Sequence, residues 1–101
     1  MLDQPGLWWQ ALGLFVEHFS AWEQAWQASI GDDAQECRKV HAVGSAAANV
    51  GAVRLASSAA AVEQGLRERL GGRAAEELEA ARRRLQADFR QSWQAAADAW
   101  R

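Results

Sequence analysis

The chain has 101 residues, half of them apolar and 24% charged, with a formal net charge of −2. That length supports one modest hydrophobic core and hence a single domain, and the near-neutral charge argues against nucleic acid or a membrane surface as partner. No run of about 18 apolar residues is present to cross a bilayer and no basic-then-apolar leader opens the chain; the one cysteine, Cys37, cannot close an internal disulfide, so the cytoplasm is the expected compartment.

Four segments repeat their apolar residues by threes and fours. The first is expected as a helix over about residues 7–29, with Trp8, Leu12, Phe15, Phe19, Trp22, Trp26 and Ile30 in one stripe. Pro5 lies just upstream, where a proline disturbs a helix least. Gly31-Asp32-Asp33 ends this segment. Asp33 suits the N-cap of a second helix over about 34–50, with Glu36 three residues on completing an acidic variant of the capping box. Gly51 suits the left-handed position after that helix. A third helix over about 53–70 places Leu55, Ala59, Val62, Leu66 and Leu70 on one side, and Gly71-Gly72 breaks it. The last, about 74–100, aligns Leu78, Ala81, Leu85, Phe89, Ala96 and Trp100. No stretch alternates with period two and β-branched residues are sparse, so the fold class is all-α. Short connections turn each helix back on its predecessor, which gives an antiparallel up-down-up-down four-helix bundle.

The six tryptophans admit a stacking platform for bases or sugars, or a role as core and end plugs. Trp22, Trp26 and Trp100 fall in apolar stripes, which favours the core; Trp8 and Trp9, at the open end, are expected to be partly exposed. Arg82-Arg83-Arg84 reads as a solvated helix face, with Glu79 one turn before Arg83, rather than a phosphate-backbone contact. His18 borders the Phe15–Phe19–Trp22 stripe and reads as a flank residue. Together with Cys37 and His41 it matches no zinc spacing, and Cys37 belongs to a core face, so no metal site is expected.

His41 stands apart. On a wheel of about 100° per residue, Cys37, Val40, Val43, Ala47 and Val50 form the core sector of the second helix, and His41 lies roughly 130° from its centre. The imidazole therefore points to water or to the flank of a neighbouring helix. Arg38, Ser45 and Ala48 share its side, and Gly44 lies between that side and the core. A mid-helix glycine costs about 1 kcal/mol relative to alanine, so Gly44 needs a reason: close helix packing, or clearance beside His41 for another protein's backbone. The small residues around the ring favour clearance.

These residues fit a known pattern. GDDAQECRKVHAVGSAAANVGAVRLASSAAAVE, Gly31 to Glu63, resembles the histidine-containing phosphotransfer (HPt) domain of bacterial multistep phosphorelays. That pattern runs His, any residue, an aliphatic, Lys, Gly, Ser or Ala, small residues, then often Asn-aliphatic-Gly-Ala. His41, Val43, Ala46, Ala47, Asn49, Val50, Gly51 and Ala52 sit at those spacings without a gap. The resemblance covers about Leu14 to Leu66, and the last helix agrees only in length and periodicity. Two positions depart from it: Gly44 stands where the pattern has lysine, and Ser45 where it has glycine.

The resemblance implies a phosphorelay carrier and not an enzyme. His41 would accept a phosphoryl group from the aspartate of response-regulator receiver domains and donate it to them. No phosphate-cradling glycine loop is present to bind ATP. The domain would bind no cofactor, magnesium would be held by the partner receiver, and the protein would be a monomer. The usual lysine helps to hold the phosphoryl group; Arg38, one turn before His41, and the Ser45 hydroxyl are the candidates to replace it. Arg38, Gly44, Ser45 and Ala48 would border the receiver-docking surface on the first and second helices. The domain would be free-standing or the C-terminal module of a hybrid histidine kinase, at the cytoplasmic end of a membrane-bound sensor. The alternative is a non-catalytic helical docking or oligomerisation module, which includes a degenerate HPt domain. No paired carboxylates or nucleophile–base–acid set marks an independent enzyme.

Overall fold

The computed structural model describes residues 5–69 and 75–100. Its helices are α1 (Pro5–His18), α2 (Trp22–Ser29), α3 (Asp33–Val50), α4 (Val53–Arg69) and α5 (Ala75–Trp100). The protein is all-helical, with no strand among the described residues. The expected Gly71-Gly72 break, Leu70 and Ala74 lie outside those residues. The two most extensive packings are α3 along α4 and α4 along α5; α5 also packs on α1, and both α1 and α2 lie against α3.

The apolar stripes supply the core. Leu12, Phe15, Trp22 and Trp26 meet Val40, Val43 and Ala47 of α3, Leu55, Ala59, Val62 and Leu66 of α4, and Leu78, Leu85, Phe89 and Ala96 of α5 in one buried cluster. Trp22 stacks on Trp26 with ring centroids 5.1 Å apart and leans on Phe89 at 4.8 Å. Cys37, expected inside, is half-buried. Trp8 and Ile30, at the two ends of the first stripe, are exposed, as is Trp9.

The single helix expected over 7–29 is two helices, divided by a turn at Phe19–Ala21. No glycine or proline marks this break. The Ser20 hydroxyl donates to the Glu17 carbonyl at 3.3 Å, a local bond that competes with helix continuation, and the Trp22 N–H reaches Phe19 O at 3.1 Å. Tertiary partners hold the two pieces in place. Trp93 donates its indole N–H to Val16 O at 3.0 Å, satisfying a carbonyl that the end of α1 leaves open.

The start of α3 also differs from expectation. Asp32, not Asp33, is the N-cap, and its carboxylate accepts the Gln35 N–H at 3.2 Å. Glu36 completes no capping box: it is fully buried and turns into the core. There it accepts the Trp26 indole N–H at 3.1 Å and two hydrogen bonds from Arg82. Arg82 also pairs with Glu79. The arginine run is therefore not one solvated face: Arg82 is buried while Arg83 and Arg84 are exposed, and Glu79 serves Arg82 rather than Arg83. A charge inside a protein persists only when it is paired and hydrogen-bonded, and no buried side-chain polar atom among the described residues lacks a partner. The Glu36 hydrogen bonds hold the Arg82 guanidinium above its ordinary pKa, against the opposing effect of burial and with help from Glu79.

Gly51 takes the left-handed conformation expected of it, at φ 79°. Ala52 N–H bonds to Ala47 O at 2.8 Å and Gly51 N–H to Ala48 O at 3.2 Å, the two bonds of a Schellman turn. Within two residues the chain reverses, so that α4 runs back along α3.

Candidate functional site

That reversal fixes the register of the two helices, and residues early in α3 face residues late in α4. Gly44 meets Ala59: a Cβ on Gly44 would lie 3.1 Å from the Ala59 Cβ, closer than packed carbons ordinarily sit. Its reason is thus close packing of α3 on α4, not the clearance beside His41 that the sequence favoured.

One turn earlier in α3, His41 reaches across the same seam. Its side chain is 69% exposed, yet Nδ1 lies 3.3 Å from both oxygens of Glu63, whose own side chain is only 14% exposed. Arg67, one turn further along α4, donates from Nη2 to Glu63 Oε2 at 3.3 Å. The three side chains form a line: guanidinium, carboxylate, imidazole.

The partner sets the tautomer of the ring. An ionised carboxylate only accepts hydrogen bonds, so in the neutral ring the tautomer that bonds to Glu63 has its proton on Nδ1 and its lone pair on Nε2. No protein group bonds to Nε2 among the described residues. That tautomer would present Nε2, on a side chain that is 69% exposed, on the side of the ring away from Glu63. A carboxylate sits behind it, ready to stabilise positive charge on the ring.

Arg38, Ser45 and Ala48 lie on the exposed side of α3 with His41, one turn before, one turn after and two turns after it. Helical spacing brings these candidates onto one face, and Gly44 sits half-buried beside them. The residues in direct contact with the imidazole network, Glu63 and Arg67, were not among the sequence candidates. Alone they look like any i, i+4 surface pair. The signal that finds them is the α3–α4 register, which follows from the turn at Gly51. His18 is exposed at the end of α1. Among the described residues no group of three or more His, Cys, Asp or Glu is arranged to hold a metal ion, and no helix is long and apolar enough to cross a membrane.

No family model, curated protein or solved structure matches the chain, so the chemistry of this site carries the functional reading.

Proposed function

We propose that the protein is a phosphorelay carrier of the histidine-containing phosphotransfer type. His41 takes a phosphoryl group from the aspartyl phosphate of a response-regulator receiver domain and passes it to another, with no nucleotide chemistry of its own. The observation that carries this reading is the exposed imidazole held through Nδ1 by Glu63.

His41 Nε2 attacks the phosphorus in line. An N–P bond forms as the P–O bond to the receiver's aspartate breaks, and that carboxylate leaves as an anion. Nδ1 keeps its proton throughout, so the phosphorylated ring is cationic and the Glu63 carboxylate stabilises it. In the onward step the same ring is the leaving group, and Nε2 recovers its lone pair. Magnesium belongs to the receiver's acidic residues. The exposed face bearing Arg38, Ser45 and Ala48, flanked by the seam that Gly44 keeps narrow, forms the docking surface; transient signalling contacts of this kind bury less than about 1,200 Å².

The packing of α3 on α4, α4 on α5 and α5 on α1 supports an antiparallel up-down-up-down four-helix bundle, with α1 and α2 as one bent leg. The carrier works as a monomer in the cytoplasm, free or as a module of a sensor kinase.

Gly44, a position without a cationic side chain, favours a second reading as a non-catalytic docking or oligomerisation module. One experiment separates the two. Incubation with a panel of radiolabelled phospho-receiver domains should place an acid-labile label on the wild-type chain and none on His41→Gln. Equal labelling of both removes His41 from the chemistry, and an acid-stable label assigns the modification to a hydroxyl such as Ser45. Concentration-dependent self-association without phosphate uptake supports the docking module.

A further inference from the structure

A phosphoryl group on His41 Nε2 carries negative charge into a site where charge neutralisation and positioning are most of what a protein can offer. A cation within hydrogen-bond reach is therefore required. Position 44 is glycine and supplies none, and a Cβ there would already lie 3.1 Å from the Ala59 Cβ. Two arginines flank the ring: Arg38 on α3 and Arg67 on α4.

Helix geometry distinguishes them. Side chains lean toward the amino terminus of their own helix. Arg38 precedes His41 on α3, and the contacts of the imidazole and of Glu63 are with each other and with Arg67, not with Arg38. Arg67 follows Glu63 on the antiparallel α4, so it leans back over Glu63 and toward His41. The observed contacts agree with that direction: Arg67 Nη2 lies 3.3 Å from Glu63 Oε2, the same oxygen that lies 3.3 Å from His41 Nδ1. This contact uses one end of the guanidinium. The Arg67 side chain is 71% exposed, and its remaining N–H groups are available to a second anion.

Building on the phosphotransfer reading above, we infer that Arg67 is the phosphoryl-binding cation of this site. In the resting protein it holds Glu63 against the imidazole. Once His41 is phosphorylated, its unused N–H groups donate to the phosphoryl oxygens. Arg38, on the same face as His41 but outside the contacts that join His41, Glu63 and Arg67, remains a docking residue.

The test uses the full chain with radiolabelled phosphoramidate as a small donor. The donor's N–P bond breaks, ammonia leaves, and the new bond forms at His41 Nε2, with His41→Gln giving the background. Loss of one charge-assisted hydrogen bond predicts that Arg67→Gln labels about tenfold or more slowly. Arg67→Lys should recover most of the rate, Arg38→Gln should lose clearly less than Arg67→Gln with this small donor, which needs no docking surface, and the phosphohistidine phosphorus resonance should shift in Arg67→Gln only. Arg67 is exposed, so the variants should keep the wild-type melting temperature. Labelling of Arg67→Gln at the wild-type rate, or an equal loss in Arg38→Gln, overturns the assignment while leaving His41 as the carrier. A loss that Arg67→Lys does not recover confines Arg67 to holding Glu63 and overturns the phosphoryl contact. A wild-type chain that takes no label on His41 from phosphoramidate or from any phospho-receiver overturns the carrier reading, and the role of Arg67 with it.

Discussion

Glu36 and Arg82 form a two-pronged ion pair inside the protein: Arg82 Nε and Nη2 donate to the two carboxylate oxygens at 2.8 and 2.6 Å, with Glu36 wholly buried and Arg82 6% exposed. With the Trp26 indole on the same carboxylate, this pair ties α2, α3 and α5 together. Arg82→Met leaves a buried carboxylate short of its partner and is expected to cost about 3–5 kcal/mol. The double variant Glu36→Met/Arg82→Met removes both charges and should lose clearly less. Urea unfolding of the single and double variants checks this, and a double variant that falls as far as the single one contradicts it.

A second cross-helix link responds to acid. Glu23 of α2 accepts two hydrogen bonds from Arg90, at 2.9 and 2.7 Å, and one from Gln86 at 3.0 Å. The Arg90 bonds hold the Glu23 carboxyl below its ordinary value of 4.5, outweighing its partial burial. A depressed folded-state pKa contributes stability that is fully present above the unfolded value and fades as pH falls through the folded one. The stability gap between wild type and Arg90→Gln is therefore expected to be constant from neutrality down to about pH 5 and to close in more acidic solution. Unfolding curves collected across that range test it; a gap that widens on acidification has the wrong sign.

Gly44 tests the closeness of α3 and α4. At an unconstrained mid-helix site, glycine to alanine gains about 1 kcal/mol. With Ala59 3.1 Å from the new Cβ, Gly44→Ala should gain markedly less than that. Gly44→Leu should lose about 1–3 kcal/mol by overpacking. A full helix-propensity gain for the alanine variant in thermal melts would mean that the seam is looser than described.

Glu63 governs the imidazole. Nitrogen NMR of the wild-type chain at a pH where His41 is neutral should find the Nδ1–H tautomer, and Glu63→Ala should shift the population toward Nε2–H. The same variant should slow phosphoryl uptake by about tenfold, the scale of one hydrogen bond to a charged group. An unchanged tautomer with unchanged uptake removes Glu63 from the chemistry.

The parts of this molecule legible in the sequence are those written in local periodicity. Val40, Val43 and Ala47, or Leu55, Ala59, Val62 and Leu66, repeat by threes and fours and are buried as that repeat requires. Gly51 announces its turn because few other residues adopt its backbone angles at no cost. Pairings over distance were not legible. Glu36 in a first helical turn looks like a cap, and only the fold brings Arg82, 46 residues later, to its side. The bend at Phe19–Ala21 carries no glycine or proline and is imposed by Trp22, Trp26 and Trp93 finding their partners. At the candidate site, the exposure of His41 followed from its angle on the wheel, whereas Glu63 and Arg67 became visible only once α4 was laid against α3.

The narrow α3–α4 seam has a consequence for any partner that lands on it. Two helices in near-backbone contact, joined by a fully hydrogen-bonded reversal, have little freedom left to surrender when a visitor arrives. Docking then costs little ordering entropy, so a small contact can be selective without being tight. A partner that docked there would meet a surface already in its final shape, and the little its small contact gains would not be spent on ordering that surface.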